Sequence, residues 1–184
     1  MSKVIFIDID DTLFFTQSCV LVMNSGMCVK ELNNKEFNDY ELKDGESFDF
    51  SQFKCTDTFT NTSVPNKRMI DLLITLREEG NEICLLTARG DFNNKQKLIS
   101  YLNQHKIDVG HYRDNKIHII RCGNKPGQSH IRKLHKIRKF LKKRPDVTEI
   151  VMYDDHIKNL KEIMNLNVRV TLFLVDKSDI KEIL

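Results

Sequence analysis

Two pairs of aspartate residues each follow a short apolar run. Asp8 and Asp10 come after the apolar residues 4–7, and Asp154 and Asp155 come after the run at residues 149–153. In an extended chain, residues two positions apart point to the same side, so Asp8 and Asp10 can share one ligand. Carboxylates held together repel each other, and a hard divalent cation relieves that repulsion. The pairs therefore predict a Mg2+ site, although a DxD by itself is also typical of an exposed acidic turn.

A hydroxyl group and several ammonium groups accompany these acids. Thr87 ends the apolar run at residues 83–86, and Lys125, Lys133 and Lys136 precede the second acidic pair. Phosphoryl transfer requires a nucleophile, positive charge around the phosphate oxygens, a hydroxyl donor and a second carboxyl group for proton transfer. This combination of residues predicts an enzyme that transfers phosphoryl groups.

Apolar runs and helical periodicities alternate along most of the chain, and this alternation would position the acids. Strands are predicted at residues 4–7, 83–86, 117–121, 149–153 and 168–175. Helices are predicted from the apolar residues 69–76, with a stop at Gly80, and at residues 95–104, 130–143 and 157–164. The pattern predicts an α/β fold, a doubly wound parallel sheet with helices on both faces. Ligands of such sheets bind at the carboxyl ends of the strands, where the acids and Thr87 occur.

Residues 15–66 interrupt this alternation with a polar composition and scattered aromatic side chains, namely Phe37, Tyr40, Phe48, Phe50 and Phe53. We interpret the segment as a small cap or flap, inserted near the catalytic edge of a single domain that spans residues 1–184. Its aromatic residues are expected to pack against the sheet rather than to stack on bases.

These motifs resemble those of the haloacid dehalogenase (HAD) superfamily of phosphohydrolases. The resemblance covers nearly the whole chain and rests on DIDDT at residues 8–12, LLTAR around Thr87, a lysine, and the late acidic motif YDDHIKN. Within the superfamily, FIDIDDTLFF, LLTARG and GNKPGQ at residues 123–128 are most similar to class B acid phosphatases. The resemblance implies a Rossmann-like fold and a phosphomonoesterase that depends on Mg2+.

The resemblance also implies a role for each matched residue. Asp8 would attack phosphorus to form an aspartyl-phosphate, and Asp10 would protonate the leaving oxygen and then activate water. Thr87, with the adjoining Ala88 and Arg89, would bind the phosphoryl group of the substrate.

The metal ligands implied by the resemblance are the Asp8 carboxylate, the backbone carbonyl of Asp10 and an acid of the late pair. Both Asp154 and Asp155 are candidates for that last ligand. The position of Asn159, four residues after Asp155, favours Asp155.

The catalytic lysine has two candidates. Lys133, on the first turn of its predicted helix, matches the placement in the superfamily best, and Lys125 is the alternative and a candidate for substrate binding. Asp11 occupies a position where many members of the superfamily have glycine.

A basic run extends from residue 116 to residue 144 without any acidic residue. It contains eleven lysine and arginine residues: Lys116, Arg121, Lys125, Arg132, Lys133, Lys136, Arg138, Lys139, Lys142, Lys143 and Arg144. Ile131, Leu134, Ile137 and Leu141 would form the apolar face of the helix within this run. The charges are either a solvated helical face or a track for a polyphosphate or nucleic acid that leads to the catalytic edge.

Composition places the chain among soluble globular proteins. Hydrophobic residues make up 40% and charged residues 30%, the net charge is +3, and no apolar run approaches the length of a membrane span. Five scattered cysteines without CxxC spacing argue against a zinc site or a disulfide framework. Together with a start that lacks a secretory signal, they lead us to expect a cytoplasmic protein without a membrane partner.

The leading interpretation is a phosphomonoesterase that acts on a nucleotide or on a nucleic-acid end, plausibly a 3′ phosphate. The alternatives are a phosphatase of small phosphorylated metabolites, a receiver-like signalling domain, and a nucleic-acid-binding module without activity. A receiver domain is disfavoured because its phosphoacceptor lies on a later strand than its metal-binding acids, whereas here the DxD follows the first strand. A P-loop kinase lacks support because the sequence contains no GxxxxGK.

Overall fold

The computed structural model describes residues 2–110, 116–123, 128–177 and 179–184. Its strands are β1 (Ser2–Ile7), β2 (Phe14–Phe15), β3 (Val20–Asn24), β4 (Met27–Leu32), β5 (Glu46–Asp49), β6 (Val64–Pro65), β7 (Glu82–Thr87), β8 (His118–Arg121), β9 (Val147–Asp154), β10 (Arg169–Asp176) and β11 (Asp179–Glu182). Its helices are α1 (Asn34–Asp39), α2 (Ser51–Lys54), α3 (Thr56–Thr62), α4 (Lys67–Glu78), α5 (Lys95–Gln104), α6 (Ser129–Lys143) and α7 (Ile157–Ile163).

A six-stranded sheet in the order β11-β10-β9-β1-β7-β8 forms the centre of the molecule. All its neighbouring strands are parallel except β10 and β11, which pair in opposite directions. From β1 the chain continues first to β7 and β8 on one side and later to β9 and β10 on the other. The doubly wound α/β fold predicted from the sequence is therefore confirmed, and its topological switch point lies between β1 and β9.

Strand β1 is buried on both faces, which explains its unbroken apolar sequence. Ile5 and Ile7 belong to the apolar cluster that also contains residues of α4 and α5. Val4 and Phe6 belong to the cluster on the opposite face, which contains residues of α6 and α7. The helices thus cover the two faces in pairs and hold the strand ends in a fixed register.

Local signals set the helix ends. The Asn66 side chain accepts a hydrogen bond from Met69 N at the start of α4, and Gly80, with a left-handed φ of 84°, follows the end of that helix. The predicted helix at residues 95–104 coincides with α5, and the other predicted elements end within one or two residues of the observed ones. Strand β11 was not predicted, and it returns antiparallel to β10 after a turn that contains Lys177 at a φ of 55°.

The segment at residues 15–66 contains its own secondary structure. The chain enters it at β2 and leaves it at β6, two short strands that pair antiparallel, with Phe14 opposite Pro65. Between them, β4, β3 and β5 form an antiparallel sheet. Phe37, Tyr40, Phe48 and Phe53 pack against Val20, Val22 and Leu32 of this small sheet. The prediction that these aromatic residues pack against the main sheet was therefore wrong, because the small sheet has an apolar face of its own to cover.

Candidate active site

The carboxylates predicted to do chemistry lie at the switch point. Asp8 directly follows β1 and its backbone N–H donates to Tyr153 O at 3.0 Å, which holds the ends of β1 and β9 side by side. Asp8, Asp154 and Asp155 each offer one carboxylate oxygen, and these three atoms lie within 4.8 Å of one another. Asp8 and Asp154 are buried, whereas Asp155 is partly exposed.

Lys133 joins two of these acids. Its Nζ donates to Asp8 Oδ1 and to Asp154 Oδ2, each at 2.6 Å, and its side chain is 1% exposed. Lysine is rarely buried unless its charge is paired, and here two carboxylates pair with it. The alternative lysine, Lys125, lies outside the described residues.

The two acids of the late pair have different surroundings. Asp154 accepts at Oδ1 from His156 N at 2.9 Å and from Asn159 Nδ2 at 2.7 Å, and at Oδ2 from Lys133. Asp155 lines an open cleft. The Asn159 side chain, near the start of α7, turns back to Asp154, and Asp155 as the direct metal ligand stays a prediction. The surroundings still leave Asp155 as the acid that faces an incoming ligand.

The charges of this cluster do not balance. Burial raises the pKa of Asp8 well above its usual value against the opposing effect of Lys133, and burial and the Asp154 charge raise the pKa of Asp155 in the same direction. Burial works to lower the pKa of Lys133, but Asp154 and Asp8 outweigh it, so its pKa lies above the usual value. Three carboxylates around one ammonium group therefore favour an additional cation. A compact set of oxygen donors without sulfur or imidazole suits Mg2+.

The Asp10 carboxylate lies apart from this cluster. Arg89 donates to it through Nε, at 2.9 Å to Oδ1 and 3.0 Å to Oδ2, and through a terminal nitrogen at 2.7 Å to Oδ1. The Thr87 hydroxyl lies 3.4 Å from Asp10 Oδ2 and accepts from Arg89 N at 3.0 Å. Contacts of the Asp10 side chain are thus with Arg89 and Thr87, while metal binding through its backbone carbonyl stays a prediction.

The loop that carries Thr87, Ala88 and Arg89 is held by the chain segment after β8. Cys122 N donates to Thr87 O at 2.9 Å, and Gly123 N donates to Arg89 O at 3.0 Å. A Cβ atom at Gly123 would overlap Gly90 N and Ala88 O. Only glycine allows this close approach, which explains the first residue of the GNKPGQ motif.

No family model matches the chain, and no curated protein sequence matches it. Among solved structures, one similar chain is a HAD-superfamily hydrolase from Ehrlichia chaffeensis. That protein is 13% identical and superposes with a TM-score of 0.49, over 94% of this chain and 87% of that chain. Similarity of this degree does not extend to substrate or mechanism, which have to be inferred from the side chains at the sheet edge.

Several residues near the site were not predicted. Asp11 adopts a left-handed φ of 56°, which aspartate tolerates better than most residues. Its carboxylate accepts from Thr16 N at 3.1 Å and from the Asn34 side chain at the start of α1. A cleft of about 320 Å³ lies between α1 and the switch point, lined by Asp11, Asn34, Lys35, Asp39, Asp155 and His156.

The basic run is less exposed than the sequence suggested. Lys133 points inward, and ion pairs engage three further residues: Lys116 with Asp108 at 2.9 Å, Arg121 with Asp91 at 3.3 Å, and Arg144 with Glu82 and Asp146 at 2.8 Å each. Leu134 and Ile137 are buried as predicted, but Ile131 is 49% exposed, because Lys133 occupies the inward position at that end of α6. The exposed charges of α6 are Arg138, Lys139, Lys142 and Lys143.

Within the described ranges, no helix is both long and apolar enough to cross a membrane.

Proposed function

We propose that this protein is a Mg2+-dependent phosphomonoesterase of the HAD superfamily that uses Asp8 as its nucleophile. The observation that carries the proposal is the convergence of Asp8, Asp154, Asp155 and Lys133 at the switch point of the sheet. Asp8 is a buried carboxylate that lies beside a buried ammonium group and within a site suited to a hard cation. A carboxylate in such an environment can attack a phosphate ester.

The proposed reaction has two steps. Asp8 attacks phosphorus, and the bond to the leaving oxygen breaks as Asp10 gives that oxygen a proton, so that an alcohol and an aspartyl-phosphate form. Water then attacks the phosphorus, Asp10 takes its proton, and the bond to Asp8 breaks with return of the electron pair to the carboxylate. When bound by Asp8, Asp155 and the Asp10 carbonyl, Mg2+ would supply positive charge to the phosphoryl oxygens.

The cleft beside Asp155 is where the leaving group would lie. Its lining is polar, and its volume of about 320 Å³ is at the small end of ligand sites. A nucleotide or a phosphorylated metabolite fits this description. A nucleic-acid end is a second candidate substrate, and the exposed charges of α6 favour it because phosphate backbones bind lysine and arginine clusters.

A phosphatase screen tests the proposal. The purified protein with Mg2+ would be offered sugar phosphates, mononucleotides, and 3′- or 5′-phosphorylated oligonucleotides, and release of inorganic phosphate would be measured. We expect turnover of at least one class and none after chelation. A wild-type protein that binds an oligonucleotide but releases no phosphate from any substrate would overturn the enzyme and favour a binding module.

Asp8→Asn is the matched control for that screen. The amide cannot attack phosphorus, and Lys133 keeps its bond to Asp154, so we expect a folded protein without turnover. Phosphate release and thermal melting would be measured on the same preparation. Retention of even a tenth of wild-type activity would show that Asp8 is not the nucleophile.

A further inference from the structure

Arg89 has an unusual environment for a residue at the mouth of a phosphate site. Its side chain is fully buried in the pair with Asp10, whose own side chain is 13% exposed. Three hydrogen bonds of 2.7 to 3.0 Å join the guanidinium to the Asp10 carboxylate. A planar guanidinium that engages both carboxylate oxygens fixes the plane of the carboxylate as well as its position.

The opposite side of Arg89 is held by the inserted segment at residues 15–66. One terminal nitrogen donates to Phe53 O at 3.0 Å, and the other donates to Thr16 Oγ1 at 2.8 Å and to Ser18 Oγ at 3.1 Å. Aromatic rings enclose the guanidinium, with centroids 4.8 Å (Phe53), 4.8 Å (Phe59) and 5.3 Å (Phe92) from Cζ.

This environment leaves Arg89 little freedom to reach a substrate. Rotation toward a phosphoryl group would break its bonds to Asp10, Thr16, Ser18 and the Phe53 carbonyl, and these acceptors would lose their buried partner. It would also remove the cation from the rings that enclose it. Arg89 is therefore built to stay where it is.

We propose that Arg89 is a positioning residue for Asp10 and does not contact the phosphoryl group, an inference that rests on the phosphatase function proposed above. The inserted segment fixes Arg89, and Arg89 fixes the carboxylate that takes the proton from the attacking water. In that second step the new bond forms between water oxygen and phosphorus, the phosphorus bond to Asp8 breaks, and the water proton moves to Asp10. An Asp10 carboxylate that is free to rotate would accept that proton from a poorer geometry.

Burst kinetics separate this role from substrate binding. With 4-nitrophenyl phosphate, the leaving group departs without help from an acid, so formation of the aspartyl-phosphate does not depend on Asp10. For Arg89→Met and Arg89→Lys we expect a burst of nitrophenol at nearly the wild-type rate, followed by steady-state turnover that is lower by about tenfold to a hundredfold. The KM should stay unchanged or fall, since the phosphoenzyme accumulates. Arg68→Lys, at an exposed position of α4, is the matched control and should behave as wild type.

A double-mutant cycle with Asp10→Asn supplies the second readout. If Arg89 acts through Asp10, the double variant turns over no more slowly than Asp10→Asn alone. If the activity losses of the two single variants multiply in the double variant, Arg89 acts independently of Asp10 and the inference is overturned. A raised KM with a slow burst in the Arg89 variants would assign Arg89 to substrate binding and would also overturn it.

Variants on the insertion side keep the test available if Arg89 variants do not fold. Thr16→Val with Ser18→Ala removes two acceptors of Arg89 and should slow steady-state turnover severalfold while leaving the burst rate intact. Equal slowing of both phases would contradict the positioning role. A wild-type protein that is inactive on every phosphomonoester would instead overturn the proposed function, and the inference with it.

Discussion

At the scale of single residues, Asp154 and Asp155 are neighbours in sequence with opposite environments. Asp154 is fully buried and accepts from Lys133, Asn159 and a backbone N–H, so it organises the site from within. Asp155 faces the cleft. This contrast predicts that the two acids affect different measurable properties.

We predict that Asp154→Ala lowers stability more, and that Asp155→Ala raises the Mg2+ requirement more. Loss of Asp154 removes one partner of a buried ammonium group, which costs about 3 kcal/mol in free energy of unfolding. Loss of Asp155 removes the proposed cation ligand and leaves the hydrogen bonds of Asp154 in place. Denaturant unfolding and the Mg2+ concentration for half-maximal activity measure the two effects. The opposite order of Mg2+ requirements would exchange the roles of the two acids.

The raised pKa values of Asp8 and Asp155 predict how pH and metal affect stability. Without metal, these carboxyls hold protons more tightly in the folded protein than in the unfolded chain, so folding loses stability as pH rises through their raised pKa values. The proposed Mg2+ would take the place of those protons and would bind better when they are gone. We therefore expect the difference in melting temperature between Mg2+ and chelator to grow from mildly acidic to neutral pH. A difference that shrinks over that range would contradict the ligand assignment.

At the scale of elements, the approach of Gly123 to the loop after β7 fixes Thr87 and Arg89. We predict that Gly123→Ala lowers the free energy of unfolding by about 1–3 kcal/mol, because the new methyl group must displace backbone atoms of residues 88–90. Activity should fall more than that loss explains, since Thr87 and Arg89 shift with the loop. Gly26→Ala, in the turn between β3 and β4, is the control: a Cβ there meets no atom within 4 Å although its φ is 79°, so it tests whether an added methyl group outside this contact lowers activity. Equal activity in the two variants would show that the contact is not needed.

The elements also show which parts of the structure the sequence could predict. Strands β1, β7 and β9 are buried on both faces, so the sequence predicts them as apolar runs with polar ends. Asp8, Thr87 and the late acids could be predicted because they lie at those ends. The sheet inside the insertion was not predicted, because β4 is largely exposed, β5 has only partly buried or exposed residues, neither forms a buried apolar run, and its helices are only four to seven residues long. The Arg89 contacts with Thr16, Ser18 and Phe53 join distant parts of the chain, and no local pattern indicates them. The orientation of Asn159 toward Asp154 likewise depends on how α7 follows β9.

At the scale of the whole molecule, positive charge is unevenly distributed. Lys116, Arg121 and Arg144 of the basic run form ion pairs and Lys133 is buried at the site, whereas Arg138, Lys139, Lys142 and Lys143 remain exposed on α6. Helix geometry places Lys143 about 15 Å along the axis from Lys133. These four exposed residues therefore extend away from the catalytic edge and are not part of it.

This distribution predicts a difference between polymeric and small substrates. A nucleic acid on α6 would release counterions, so an oligonucleotide with a terminal phosphate should have a lower KM than the matching mononucleotide, and the difference should shrink steeply with salt. Lys139→Glu, Lys142→Glu and Lys143→Glu together should abolish the difference and spare hydrolysis of 4-nitrophenyl phosphate, because these side chains lie beyond the reacting group. Lys3→Glu, on an exposed residue at the start of β1, is the control for a general change in charge. If the oligonucleotide has no advantage even at low salt, α6 presents a solvated face and a small phosphorylated metabolite is the better substrate, in keeping with the narrow polar cleft beside Asp155.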